Sequence, residues 1–528
     1  MSSTALPPEP GAAPPPVVPP PVAPPSVVPR GGGKATEAIL AKTARGAGWV
    51  VGWRLSSRLL GFVSTLLLAR ILTPSDFGVV AIAMSFVQAI ETLSFLGVEE
   101  ALVREKAPSR AMYDTGFTLN VIRNVTMALL LCAGAIPSAQ FFAEPRLANV
   151  LFALAAGVAA IGFVNIGTVE YRRDFAFVME FRMQILPRLI SVALMLVVAF
   201  GLRSYWALVV GVVSMRVTAV MASYMMHPYR PRLSLRVWRS LLGYSLWTWA
   251  QTTAVVVRDR SNMFIIGRLL GPQFVGIYSV GADIALMPST ELVAPLARVA
   301  FSGFAANRNG EGDAAHTYLR VVASMALLTM PMGFGLSLTA DAVVRLAFGP
   351  GWEAAIPVMR VLGVTGAVMV CAYLGSTLFF AHSQMSTCFK VTCAAALARM
   401  ALLVVLIPIY GLTGAALATA ASLAVETLCY VVLIARHYGL PPSALLRETW
   451  RCFAATGAMA AVLWAAGLGW TPAVGSFSVV ATRLAAAVAL GAVVYCAVLL
   501  GTWLASGRPA GAEADWLRVV RRAVPGRA

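Results

Sequence analysis

Two arginines four residues apart, Arg54 and Arg58, stand inside one apolar run of this 528-residue chain. On a helix that spacing puts both on one face, a turn apart. Two guanidinium forks so placed repel one another unless an anion lies between them, and each fork fits phosphate oxygens bidentately. The structural alternative is an ion pair with Glu91 in the next apolar run. Further ionisable groups fall inside apolar runs: Arg123 and Arg216 in the first half, and Arg258, Asp259, Arg260, Asp283, Glu291, Arg399 and Glu426 in the second. Each arginine at a bilayer centre costs about 3 kcal/mol, so five facing lipid would cost about 15 kcal/mol. They are expected to face a wet cavity or one another.

The candidates for anion contact are therefore Arg54, Arg58, Arg123, Arg216, Arg258 and Arg399. Arg123 stands a third of the way along its run, from where it can also snorkel to the interface. Arg216 and Arg399 stand near mid-run, where the alternatives are a cavity or an ion pair. Arg399 and Glu426 occupy successive runs and could neutralise one another. Arg258, Asp259 and Arg260 turn by about 100° per residue and cannot share a face, so one arginine is assigned to the cavity, and Arg258 is that one. Asp283 and Glu426 suit a coupling proton or sodium ion, or else a structural arginine partner. Pro288 and Pro295 bracket Glu291 and mark a broken helix.

Other chemistries are excluded by their missing parts. The four lysines complete no phosphate-binding loop, and neither a zinc-protease nor a serine-hydrolase motif occurs. No catalytic residue, metal or resident cofactor is expected; H+ or Na+ remains as a coupling ion. The seven cysteines lie mostly in apolar runs at no metal-ligating spacing and read as small buried residues.

The elements that must carry these charges follow from composition. The chain is 59% hydrophobic and 12% charged, with a mean hydropathy of +0.78. Soluble domains carry about 25% charged residues, so the chain reads as an all-α polytopic membrane protein. Spans of about 20 apolar residues are expected at 46–69, 77–97, 115–139, 147–167, 184–202, 205–227, 240–267, 273–296, 317–340, 357–381, 386–408, 411–435, 451–470 and 478–504. The even-numbered connections hold fifteen Arg and Lys residues and the odd-numbered ones five, which places both termini in the cytoplasm. The net charge of +18 is accordingly assigned to lipid-facing cytoplasmic loops and not to nucleic acid. The first thirty residues hold twelve prolines, and residues 1–33 read as a disordered tail.

One short text is written twice. Residues 68–80, LARILTPSDFGVV, and 266–278, IGRLLGPQFVGIY, align Arg70, Pro74 and Gly78 with Arg268, Pro272 and Gly276 at a constant offset of 198 residues. Both copies join two spans on the expected outer face, six spans apart. That position implies a parallel duplication about an axis along the membrane normal. Gly201-Leu202 and Gly411-Leu412 form a weaker echo at the start of spans 6 and 12. The expected organisation is a six-helix bundle at 34–239, a second at 240–436, two further helices within 437–506 and a basic tail at 507–528.

The stretches LLLARILTPSDFGVVAIAMSFVQAIETLSFLGVEEALVREK, FVMEFRMQILPRLISVALMLVVAFGLRSYWALVVG and VGIYSVGADIALMPSTELVAPLARVAFSGF resemble the polysaccharide flippases, the Wzx-type transporters and their WzxC-like branch in particular. The resemblance covers about residues 40–440. It implies a cargo of oligosaccharide linked through diphosphate to a polyprenyl lipid. That cargo moves from the cytoplasmic to the periplasmic leaflet of the bacterial inner membrane, for exopolysaccharide, capsule or O-antigen synthesis. Membrane lipids, a polysaccharide polymerase and export machinery are the implied partners. A lipid II or multidrug exporter of the same superfamily, and a membrane polysaccharide polymerase, are the alternatives. The arginine excess argues against cationic drugs, and the short outer connections against a polymerase.

Overall fold

The computed structural model describes residue 52 and residues 56–523, apart from 95–96, 106, 175, 242–245, 307–310, 440, 442 and 510. All regular structure among them is helical. The first half runs through α1 (56–71), α2 (Pro74–Leu93), α3 (Val98–Arg104), α4 (Arg110–Phe141), α5 (Arg146–Ile161), a 3-10 turn into α6 (Val169–Arg173), α7 (Phe177–Leu202) and α8 (Trp206–Met226). After α9 (Trp238–Leu241) the second half runs through α10 (Leu246–Leu269), α11 (Pro272–Ala306), α12 (Glu311–Leu338), α13 (Ala340–Ala347), α14 (Ala355–Ala381) and α15 (Met385–Tyr438). Then come α16 (Ala444–Ala465), α17 (Phe477–Ala505) and α18 (Ala512–Ala523).

α15 is 54 residues long, which would reach about 80 Å if straight, far beyond a hydrocarbon core of about 30 Å. It reverses at Gly411, whose φ of 57° and ψ of −133° lie outside the helical region. The two arms pack antiparallel: Ser422 Oγ donates to the Ala395 carbonyl at 2.9 Å. With α15 counted as two arms, the long helices fall one for one on the fourteen predicted spans. Among the described residues eight helices are long and apolar enough to cross a membrane on those grounds alone, or nine with α5 and the bent segment after it taken as one. α10 falls outside that group, and it is the helix that carries Arg258, Asp259 and Arg260.

The repeated text forms the seam between the halves. Pro74 and Pro272 each open a helix, where a missing N–H costs nothing. Thr73 caps α2 reciprocally with Asp76. A Cβ on Gly78 would lie 1.7 Å from the Pro272 carbonyl oxygen, and one on Gly276 1.9 Å from the Pro74 carbonyl oxygen. Each copy thus seats its glycine on the other copy's proline, as a two-fold relation requires. The flanking contacts repeat the symmetry. Trp352 Nε1 donates to the Ala69 carbonyl at 3.1 Å, while Gly267, 198 residues after Ala69, packs on the Phe142 ring. Arg70 donates to the carbonyls of Leu346 and Ala347, and Arg268 lies over the Phe141 ring.

The weaker echo is displaced. α7 turns back at Arg203, with φ 44°, while Gly201 still lies in its last turn. Only Gly411 of that pair occupies a reversal.

At the seam end the halves share one core, which includes Leu68, Ile82, Val275, Ile277, Trp352 and Leu362. At the other end their cores are separate: Tyr113, Phe117 and Leu241 in one, Phe304, Tyr318 and Tyr430 in the other. The halves are therefore fused at the expected outer face and split toward the expected cytoplasmic one. The connection after α8 is strapped to the first half. Asn165 Nδ2 donates to the Tyr229 carbonyl at 2.6 Å, Tyr229 Oη and Arg232 N donate to Asp114 at 2.7 and 2.8 Å, and Ser234 N donates to Thr118 Oγ1 at 2.8 Å. α16 and α17 pack on α12, and α18 is clamped there by Arg451–Glu513 at 2.8 Å.

Candidate functional site: a chamber between the halves

Beneath the seam lies a cavity of about 330 Å³ walled by α1, α2, α7, α8 and α11. Arg58, Ser64, Arg188, Ser191 and Asp283 supply its polar lining. Arg188 follows Pro187 on α7 and turns its guanidinium against α1. A Cβ on Gly61 would lie 2.7 Å from Arg188 Nη2, so the glycine is the socket that admits the group. Nη1 of Arg188 has only the Met215 sulfur, at 3.7 Å, and its Nε meets no acceptor. Among the described residues no carboxylate pairs with it. Asp283, on α11, is exposed to the same chamber and makes no ion pair among the described residues. One unpaired cation and one unpaired anion thus line the space between two halves.

Arg188 was missing from the sequence expectations. The expected span, 184–202, places this residue near a membrane edge, whereas α7 begins at Phe177. Arg188 consequently sits eleven residues, about 16 Å, along the helix. The overlooked signal was the apolar text on both sides of it, FVMEF before and LISVAL after.

The six expected arginines divide. Arg54 lies outside the described residues. Arg58 lines the chamber and pairs across the halves with Glu291 of α11, not with Glu91. Glu91 instead takes Arg216, at 2.7 Å, within the first half. Arg258 holds Glu426 at 2.6 Å and Asp259 at 2.8 Å, and Arg399 reaches Asp259 at 3.4 Å and Ser422 Oγ at 3.2 Å. The expected Arg399–Glu426 pairing is thereby exchanged for two others. Successive residues on α10 do diverge, but Arg258 turns into the second half and not into the chamber. These four side chains sum to zero charge, the arrangement that makes their burial tolerable. Arg216, Arg258 and Arg399 are absent from the chamber lining. Glu426 is nearly buried beneath Arg258, while Asp283 stays accessible from the chamber.

Arg123 lines a second polar space nearer the split end, formed by two adjoining cavities. Its Nε too meets no acceptor.

Residues 67–357 match the family model described as polysaccharide biosynthesis protein. Among curated proteins, the chain is 26% identical over 343 residues to the succinoglycan biosynthesis transport protein ExoT of Rhizobium meliloti, covering 63% of this chain and 68% of that one. It is 22% identical over 361 residues to the lipopolysaccharide biosynthesis protein WzxC of Escherichia coli, covering 67% and 73%. The fold is similar to that of the lipid II flippase MurJ in an inward closed conformation. The TM-score is 0.67 at 13% identity, covering 87% of this chain and 99% of that one. An inward-facing multidrug resistance transporter of the MATE family aligns with a TM-score of 0.57 at 14% identity, covering 74% and 96%.

Proposed function

Because the chain belongs to the polysaccharide biosynthesis protein family, that of the Wzx-type polysaccharide flippases, we propose that it moves a polyprenyl-diphosphate-linked oligosaccharide from the cytoplasmic to the periplasmic leaflet of the bacterial inner membrane, for exopolysaccharide, capsule or O-antigen synthesis. The observation that carries this reading is Arg188, a guanidinium without a carboxylate partner in a chamber between two separable halves. A fork of this kind suits a diphosphate, and the polyprenyl tail stays in the bilayer outside. Arg58 joins it when its bridge to Glu291 opens, and Arg123 meets the head group nearer the cytoplasm.

Transport follows as alternating access. The fused seam closes the periplasmic side, and cargo enters from the split side. Closure there, with opening at the seam, delivers the head group outward. The membrane potential favours that direction: two negative charges leaving an inside-negative cell through 100 mV gain about 4–5 kcal/mol. Asp283 is the carboxylate that would take an exchanged H+ or Na+, since Glu426 is engaged by Arg258.

The test is reconstitution. Vesicles holding the purified chain and a fluorescent polyprenyl-diphosphate oligosaccharide should expose the lipid to an external glycosidase or lectin at a rate that empty vesicles lack. Equal rates, or transport of cationic dyes in its place, would overturn the reading. In cells, deletion should accumulate the lipid-linked glycan on the inner leaflet.

A further inference from the structure

The two adjoining cavities on the cytoplasmic side of the chamber measure about 330 and 550 Å³, within the range of small-molecule sites. They share Glu99, Asn120, Arg123, Asn124 and Ile161 and so form one continuous vestibule. Its walls differ in kind from those of the chamber. They present planar hydrogen-bonding groups, the amides of Asn120 and Gln184 and the guanidinium of Arg123, where the chamber presents a bare cation. The carboxylates Glu91, Glu99, Glu100 and Glu180 face Arg123 and Arg172 there. Arg172 is occupied by Glu99 at 3.2 Å and Glu180 at 3.5 Å, and Glu91 by Arg216.

We propose that this vestibule binds the sugar end of the cargo and selects an uncharged, hydroxyl-rich glycan over one bearing a carboxylate near the lipid. The inference rests on the flippase reading and adds the substrate's chemistry to it. α7 supplies the register. Gln184 lines the vestibule, and Arg188, one turn further on the same face, lines the chamber about 6 Å away. A diphosphate on Arg188 therefore sets the first sugars beside Gln184, Asn120 and Arg123. Hydroxyl groups both donate and accept, as amides, carboxylates and a guanidinium require together. A uronic acid would instead meet four carboxylates against three guanidiniums, Arg172 and Arg216 already engaged, and a like charge added to that excess is rejected. Arg123 lines both cavities and makes no ion pair among the described residues, so its guanidinium is the donor group left for a sugar oxygen.

The experiment measures binding to the full-length protein in nanodiscs with three probes: a polyprenyl diphosphate, the same lipid carrying a neutral hexose disaccharide, and the same lipid carrying a hexuronic acid in that disaccharide. The neutral glycolipid should bind about tenfold tighter than the bare lipid, and the acidic one no tighter than the bare lipid. Asn120→Ala with Gln184→Ala should abolish the tenfold gain and leave the bare lipid's affinity within about twofold. Arg123→Gln, read separately as the ratio of neutral-glycolipid to bare-lipid affinity, should also abolish the gain, so a folding defect in one variant does not decide the result. A gain that survives both variants, an acidic glycolipid that binds as well as the neutral one, or no gain in the wild type would each overturn the vestibule while leaving the flippase reading intact. Failure of all three lipids to bind the wild type would overturn both.

Discussion

Arg258 on α10 and Glu426 on the second arm of α15 meet at 2.6 Å, with Glu426 nearly buried. Asp259 and Arg399 complete the set, so the second half carries an open chain of four charges, Glu426–Arg258–Asp259–Arg399. Removing Glu426 from this chain leaves two buried arginines sharing one carboxylate, at a cost of about 3–5 kcal/mol. Glu426→Gln should therefore lower the thermal unfolding midpoint by several degrees. Arg258→Met combined with Glu426→Leu should recover most of that loss. A Glu426→Gln protein that unfolds normally but no longer responds to an imposed ion gradient would make Glu426 the coupling group in place of Asp283.

Arg188 should behave in the opposite way. Among the described residues it has no acidic partner to strand, so Arg188→Gln should fold as stably as the wild type and still transport at least about tenfold more slowly, the value of a charged hydrogen bond. Arg188→Lys keeps the charge but loses the fork and should fall between. Gly61→Ala should imitate Arg188→Gln, because its methyl group would stand 2.7 Å from Nη2. Vesicle transport assays beside thermal unfolding check all three.

The turn between α4 and α5 gives a pH signature. Glu144 accepts from Arg146 at 2.8 Å, and that hydrogen bond holds its carboxyl below the usual carboxylate range. A depressed value in the folded state means that the stabilisation is complete above the unfolded value of about 4.3 and is lost as the pH falls through the folded one. Glu144→Gln should thus lower the unfolding free energy slightly at pH 6, by no more than about 1 kcal/mol for this partly exposed pair. The deficit should shrink as the pH falls below that unfolded value and vanish once the folded carboxyl is protonated. A deficit that grows in acid would refute the assignment.

Gly78→Ala and Gly276→Ala should each force the seam apart, since backbone atoms lie under 2 Å from the added carbon. Spin labels on Arg203→Cys and Glu353→Cys, one on each half, should report a wider separation in both variants. Gly134→Ala, where a Cβ meets nothing within 4 Å, should leave it unchanged.

How legible all this was in the sequence depends on the range of the physics involved. Span number and the duplication were visible because apolar length and the 198-residue offset are local or exactly repeated properties. That Gly78 rests on Pro272 was not visible, since a repeat states equivalence and not contact. Buried charges announced themselves by type, but their partners did not. Glu91 could serve Arg54, Arg58 or Arg216 until the tertiary packing placed α8 beside it. Arg188 was lost to a span boundary drawn seven residues late, because hydropathy marks where a helix is apolar and not where it begins.

The reciprocal seating of the two glycines has an evolutionary consequence. A copied gene segment is usually free to diverge from its twin, each drifting to suit its own surroundings. Here each twin is the other's surroundings, so a bulky replacement in either is punished by the backbone of its sibling and cannot be rescued by a single second change. The repeated spelling thus stands where the two copies touch, a place where a change in either acts directly on the other.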